Sequence, residues 1–442
     1  VIVGASPACA IPGTPLARAA GGLDACVHCG FCLQACPTYV NLEDENDSPR
    51  GRLVLMRRLL DGDVALDDAV VGKHLDRCLG CRACETACPS GVPYGDLLEA
   101  TRATMAPVRG IPVVARLVLG VFKHTAMLRA VLFGARAFRA TGLPRVLARV
   151  LPKRLAFPMA MLASTSPVPL PVAPRQAPAD SGRPDTPRDT VTCLTGCVMD
   201  GLFGHINEAT QRVLEHNGYV VLTTAAQHCC GALHAHAGDA ATARELARRN
   251  IAAFEASGSS AIAVNAAGCG AMVKQYGHLL QDDPAWAARA RAVASRARDV
   301  SELLAAAGPR VGAAILARVT HDPPCHQMHA QRVVRQPLAV LAAIPGLDLV
   351  PLEDADQCCG SAGIYNLVEP DTSDAVLAPK LERIAATRAP IVATGNPGCM
   401  MQLGAGLMQS GSTARVVHPV ELLDASYGRS GAPSSDGEFR AS

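Results

Sequence analysis

Four cysteine landmarks in the C-terminal half of this chain recur 128 to 130 residues further on. Cys197, the pair Cys229-Cys230 with Gly231, and Cys269 return as Cys325, the pair Cys358-Cys359 with Gly360, and Cys399. The intervals between landmarks agree within one residue, 32 against 33 and 39 against 40. Chance does not hold such a register over four points, so a domain has been duplicated. The flanks agree as well. Val191-Thr192 parallels Val319-Thr320, the apolar run after Gly218 parallels that after Gly346, and Ala261–Asn265 parallels Pro390–Thr394. Each run reads as a short strand ending in a Gly- or Cys-bearing loop, with helix-like stretches between, such as 239–257 and 374–388. Strands alternating with helices predict two α/β units with mainly parallel sheets, at 191–310 and 311–425, before a flexible tail at 426–442. The cysteines then gather at the carboxyl ends of strands, where open α/β sheets place their sites.

A second duplication lies near the start. Cys26-x2-Cys29-x2-Cys32-x3-Cys36-Pro37 is repeated as Cys78-x2-Cys81-x2-Cys84-x3-Cys88-Pro89. Three closely spaced thiolates plus a Cys-Pro form the bacterial-ferredoxin signature for [4Fe–4S] clusters, in which the fourth Cys ligates the other cluster. By that rule Cys26, Cys29, Cys32 and Cys88 hold one cluster, and Cys78, Cys81, Cys84 and Cys36 hold the second. Paired C-x2-C also builds zinc ribbons. The third in-phase Cys and the Cys-Pro favour iron–sulfur. A disulfide framework fits poorly, because the thiols sit in metal spacings and no secretory apolar stretch is seen near the start. His28, inside the first run, reads as a neighbour of the cluster rather than a ligand. Residues 1–20 are a Pro/Ala-rich lead-in, and 21–105 form the cluster module. Between the runs, Leu53, Met56, Leu59 and Leu60 are spaced as on a helix with a basic outer side. The insert makes this an α-helical ferredoxin module rather than a minimal ferredoxin.

At 442 residues the chain has room for two to four domains. A net charge of +2 and 3% aromatics give no sign of a nucleic-acid partner. Eighteen cysteines are sustainable in a reducing compartment or when occupied by metal, which predicts a cytoplasmic protein. Residues 100–179 carry twelve Lys/Arg and no Asp or Glu. Within them, 111–157 alternate apolar stretches with single cations. This is the pattern of basic amphipathic helices, which lie on an anionic membrane surface, dock an acidic partner, or simply pack on the rest of the protein. Peripheral contact with the inner face of the cell membrane is one of those three readings. Within this segment the one uncharged run of spanning length, 155–174, holds five Pro and cannot be one continuous helix. Residues 165–190 read as an exposed Pro-rich linker closing the segment 106–190. Cys9 and Cys193 lie outside the matched sets and read as plain thiols. His228, His234, His236, His326 and His329 crowd the Cys loops; singly they are polar loop residues, and as a group they are candidates for proton movement or quinone binding.

The combination of motifs resembles a known family. The runs CVHCGFCLQACPTY, SPRGRL, CLGCRACETACPSGVPYG, LTGCVMD, QHCCGALHAH, NAAGCGAMVK, QCCGSAGIYN and NPGCMMQ are similar to those of the iron–sulfur subunit of bacterial glycolate oxidase. The likeness covers about residues 20–425. Related subunits serve anaerobic glycerol-3-phosphate dehydrogenase and heterodisulfide reductase. The resemblance implies a multidomain α+β protein: an α-helical ferredoxin module followed by a duplicated α/β Cys-Cys-Gly domain. It implies an electron-transfer subunit with two [4Fe–4S] clusters and no catalytic residue of its own. FAD-containing glycolate oxidase subunits would oxidise glycolate to glyoxylate, and a quinone or another membrane acceptor would take the electrons. No G-x-G-x-x-G or P-loop is found, in line with a flavin carried by a partner. A lactate or glycerol-3-phosphate complex, or a thiol/disulfide reductase using the Cys-Cys-Gly sites, are the alternatives. One departure bears on that last reading. The heterodisulfide-reductase pattern ends each half in C-x2-C, whereas here Met272 follows Cys269 and Gln402 follows Cys399 at plus three. Cys197, Cys229, Cys230, Cys269, Cys325, Cys358, Cys359 and Cys399 are therefore candidates for a further cluster, part of one, or redox thiols.

Overall fold

The computed structural model describes residues 9–172, 188–224 and 226–428. Each C-terminal repeat forms its own four-stranded sheet. In the first, β1 (Thr190–Leu194), β2 (Val220–Leu222), β3 (Ala261–Val264) and β4 (Ala297–Asp299) lie in the order β2-β1-β3-β4. In the second, β5 (Arg318–His321), β6 (Asp348–Val350), β7 (Ile391–Ala393) and β8 (Arg415–Val417) lie in the order β6-β5-β7-β8. Every pairing is parallel, with Val191 opposite Val221 on one side and Ala261 on the other. Helices cover such sheets on both faces, so the inner strands are short apolar runs buried throughout; Ile391, Val392 and Ala393 are all buried.

This topology positions the thiols. Cys197, Cys229-Cys230 and Cys269 follow the carboxyl ends of β1, β2 and β3, and Cys325, Cys358-Cys359 and Cys399 follow those of β5, β6 and β7. The last strand of each repeat, β4 and β8, was not evident in the sequence. Each is three residues long, and β4 continues directly from the Ala/Arg-rich helix Ala287–Arg296.

The helix expected between the ferredoxin-like runs is Pro49–Asp61. Ser48 caps it by accepting from the Gly51 N–H, and Gly62 ends it at φ 78°. It buries Leu53, Met56, Leu59 and Leu60 against Leu16, Leu23, Leu75 and Leu97, forming the core of the module. Each such side chain contributes about 1.5–3 kcal/mol. The helix Tyr94–Arg109 leads out of the second run. It is followed by four helices of the acid-free segment, Val113–Lys123, Thr125–Ala140, Leu143–Val150 and Lys153–Ser164. The last runs through Pro158 and lays Ala156, Ala160 and Ala163 along the helix Pro397–Gln409. Gly404 permits that approach, since a Cβ there would stand 2.6 Å from Ser164 Cβ. Among the described residues no single helix is long and apolar enough to cross a membrane, and Tyr94–Arg109 meets Val113–Lys123 at a 110° bend. At the start of the expected linker, Thr165 is buried and Val168, Leu170 and Val172 pack on the C-terminal core; residues 173–187 lie outside the described residues.

Candidate iron–sulfur and thiol sites

The first run folds as a surface loop. His28 and Gly30 take left-handed backbone, φ 54° and 86°, which turns successive thiols toward a common centre. Cys26, Cys29, Cys32 and Cys88 line one cavity, with Cys84, Leu53, Val92 and Tyr94 in its walls. Cys29 is exposed, and its neighbours Val27 and Phe31 are each 68% exposed.

The second run lies deeper. Cys36, Cys78, Cys81 and Cys84 are all buried. Burial pushes the Cys84 thiol up, and the neighbouring Cys81, Cys78 and Cys36 push it further. Lone buried thiolates are costly, and metal coordination removes that cost because a coordinating thiol is deprotonated outright. The surroundings suit an anionic group. Arg52, fully buried, brings Nη1 to 4.0 Å from Cys36 Sγ, and the Tyr94 hydroxyl donates to Cys78 Sγ at 3.6 Å. Cys36 lies among the buried thiols of the second run, and Cys88 lines the cavity of the first together with Cys84; a soft, mostly buried thiol set of this kind fits iron–sulfur clusters.

In each C-terminal half the four thiols converge. Cys197 Sγ lies 3.7 Å from Cys229 Sγ, and Cys230 Sγ 3.3 Å from Cys269 Sγ. Cys229 receives a hydrogen bond from Cys197, and this, with the adjacent Cys230 and the Gly231 N–H, holds its pKa well below the usual thiol value. Cys358 is held down in the same way by Cys325, Cys359 and the Gly360 N–H. Their donors are pushed up in turn: Cys197 and Cys230 by bonding to Cys229, and Cys325 and Cys359 by bonding to Cys358. Gly follows each pair because the turn demands it: φ is 89° at Gly231 and 84° at Gly360, and a Cβ at Gly360 would meet the Ser373 carbonyl oxygen at 2.6 Å.

The two kinds of site touch. Cys81 of the ferredoxin module and Cys358 of the second repeat share one buried cluster with Leu79, Ala83, Tyr365 and Val376. The second repeat in turn reaches the first. Asn396 donates to Cys399 Sγ at 3.4 Å and accepts from the Gly268 N–H, beside Cys269, at 3.1 Å. The positions where a fifth Cys would complete C-x2-C are already engaged. Met272 packs in the core beside Cys230, and Gln402 bonds Asn366 and the Ser373 hydroxyl, each at 2.9 Å.

Four of the five histidines near these loops fasten regions together. His236 pairs with Glu99 (2.9 Å), His326 with the Gly80 carbonyl (3.0 Å), His329 with Thr86 (2.8 Å) and His228 with Thr125 (2.8 Å); His234 bonds Asp239 within its own repeat. Cys193 lies on β1 away from the matched thiols, its pKa pushed up by burial to about 12. Sequence reasoning missed Arg52, Tyr94 and Asn396. Only Asn396 carried a local signal, being three residues from a landmark Cys.

A 4Fe-4S dicluster domain family matches residues 22–92, and a cysteine-rich domain family matches residues 191–274 and again 319–404. The probable glycolate oxidase iron-sulfur subunit of Bacillus subtilis (strain 168) is 37% identical over 426 residues, covering 91% of this chain and 94% of the relative. The chain belongs to the glycolate oxidase iron–sulfur subunit family. The Escherichia coli (strain K12) glycolate oxidase iron-sulfur subunit is 35% identical over 412 residues, 91% of this chain and 93% of its own. Lactate utilization protein A of an Exiguobacterium species is 29% identical over 236 residues, 53% of this chain and 96% of the relative. Membership makes this an iron–sulfur oxidoreductase subunit. The helical module followed by two parallel α/β units is the fold class that the glycolate oxidase resemblance implied.

Proposed function

We propose that this chain carries electrons away from a partner flavin subunit that oxidises glycolate to glyoxylate, and delivers them to a quinone. The reading rests on one observation, the file of thiols from surface to interior. Cys26, Cys29 and Cys32 stand at an exposed apolar lip formed by Val27 and Phe31. Cys36, Cys78, Cys81 and Cys84 lie beneath them, and Cys81 adjoins Cys358. Two [4Fe–4S] clusters bound at the crossed sets supply the one-electron chemistry needed to empty a two-electron flavin in steps. The residues around them set the conditions. Arg52 offsets negative charge at the inner set, and the Tyr94 hydroxyl stabilises Cys78 sulfur. The lip gives a partner an apolar seat beside the outer set. The 37% identity over nearly the full chain favours glycolate as the partner's substrate over lactate, whose utilization relatives match only 53% of the chain.

Glycolate-dependent quinone reduction by the purified flavin subunits is expected to require this chain. Unchanged quinone-linked activity without it would remove the relay role. Anaerobic iron analysis is expected to give about eight irons per chain for the ferredoxin module alone. A clear excess would assign a further cluster to the Cys-Cys-Gly halves. Cys36→Ala should perturb the EPR signal of the inner set and Cys88→Ala that of the outer, the reverse of what uncrossed ligation would give.

A further inference from the structure

The helices between 113 and 150 bury one side on the protein and show a second apolar side to solvent. In Val113–Lys123, Ala115 and Leu119 point inward, while Val113 and Leu117, four apart on the opposite side, are exposed, Leu117 by 69%. In Thr125–Ala140, Leu128 is buried and Leu132 and Ala135 pack on the core, while Phe133 projects outward, 58% exposed. In Leu143–Val150, Pro144 and Ala148 are buried, and Val146 and Val150 are exposed. A helix on a water-facing surface carries polar residues opposite its buried stripe. Here eleven of the 21 exposed large apolar side chains among the described residues fall between 108 and 155. Adjacent helices of this set pack on one another, so the outward sides adjoin.

The charge pattern says what covers them. Residues 100–179 contain no acidic side chain. Arg129 and Arg136, seven apart, share one flank of their helix, and Arg145 and Arg149, four apart, share one flank of theirs. All four are exposed and have no carboxylate partner among the described residues. An apolar outer stripe with arginines along its edge is the arrangement of a helix lying in a lipid interface, where the stripe enters the acyl boundary and the guanidinium groups reach headgroup phosphates. We propose that this face docks on the anionic surface of a lipid bilayer and holds the chain there peripherally. The assignment does not depend on the partner's substrate.

The test is co-sedimentation of the full-length, iron-loaded chain with phosphatidylcholine vesicles, with and without phosphatidylglycerol. Binding is expected to the anionic vesicles, to fall steeply with salt, and to drop roughly tenfold or more in the double variant Leu117→Glu/Phe133→Glu. The control Leu338→Glu/Leu367→Glu removes exposed apolar side chains elsewhere on the described surface and should bind as wild type, with iron content and circular dichroism confirming that each variant is folded. Three results would each overturn the proposal: no binding of wild type to anionic vesicles at low salt, equal binding to neutral ones, or equal loss in the control. So would capture of this face by the acidic surface of a purified flavin subunit in place of vesicles. Should the double variant misfold, Arg129→Gln/Arg145→Gln gives the same readout through the charge arm alone.

Discussion

Replacing Arg52 by Met tests how the ferredoxin module is held. The guanidinium has no exposure. Nε donates to the His74 carbonyl at 2.7 Å, Nη1 to the Thr38 hydroxyl at 3.1 Å, and Nη2 to Asp47 Oδ1 at 3.1 Å. Asp47 also takes Arg77 Nη1 at 2.9 Å and lies 3.1 Å from His74 Nδ1. Met fills most of the volume, so little cavity remains, and the cost is that of abandoned polar groups. Breaking one side of a buried ion pair costs about 3–5 kcal/mol. Because Arg77 remains on Asp47, the lower half of that range is expected. Arg52→Lys keeps the charge but not the fork, and should lose less. The assay is urea unfolding under anaerobic conditions, followed by circular dichroism, with the midpoint shift converted at fixed m. Adding Asp47→Leu to Arg52→Met should recover part of the loss by removing the stranded carboxylate. A loss under about 1 kcal/mol, the scale of an exposed pair, would refute the reasoning.

Other expectations follow from single contacts. Buried His418 is neutral: Nε2–H donates to the Asn265 carbonyl at 2.8 Å, Nδ1 accepts from the Val420 N–H at 3.1 Å, and burial lowers its pKa to about 4. Below pH 6.5 the unfolded chain takes up this proton and the folded chain does not. Stability is therefore full above about pH 6.5 and falls toward pH 4 by roughly 3 kcal/mol for this residue. His418→Asn, which keeps a cap acceptor, should flatten that slope in urea titrations across the window; an unchanged slope would exclude the assignment. Tyr94→Phe removes a hydrogen bond to Cys78 sulfur and should lower one midpoint potential by roughly 20–60 mV, the equivalent of a 0.5–1.5 kcal/mol bond, in an EPR-monitored redox titration. Gly360→Ala should destabilise more than Gly231→Ala. Both pay for left-handed backbone, about 1–2 kcal/mol, but the new Cβ would stand 2.6 Å from a carbonyl oxygen at Gly360 and 3.1 Å at Gly231. Equal midpoints would show that the second repeat relaxes freely.

Much of this was legible because thiols and glycines are sparse letters with narrow uses. Two repeats in register placed six of the eight strands and every Cys-bearing loop. Strands β4 and β8 escaped because no landmark Cys follows either of them, and β4 opens directly out of a helix. The contact between Cys81 and Cys358 is 277 residues apart in the chain, and no local pattern encodes it. The histidines were noticed for their position near thiols. Their work as fasteners between regions depends on partners such as Glu99 and Thr125, which look ordinary in sequence. Gln402 illustrates the converse: a missing Cys was visible, but the hydrogen-bonded network that replaces it was not.

The crossed ligation proposed for Cys36 and Cys88 would have a consequence for how the protein is made. With that ligation, neither thiol set would be complete until both runs had left the ribosome and closed on each other, so cluster insertion would wait on residue 88. Once filled, the inner set joins Cys36 to Cys78 across 42 residues of chain. By the loop-closure relation for a covalent cross-link, a tie of that span removes about 4 kcal/mol of unfolded-chain entropy. The clusters would then act as the module's staples, and iron starvation would leave a chain whose N-terminal quarter is open to proteolysis while its two α/β repeats, with cores of their own, stay closed.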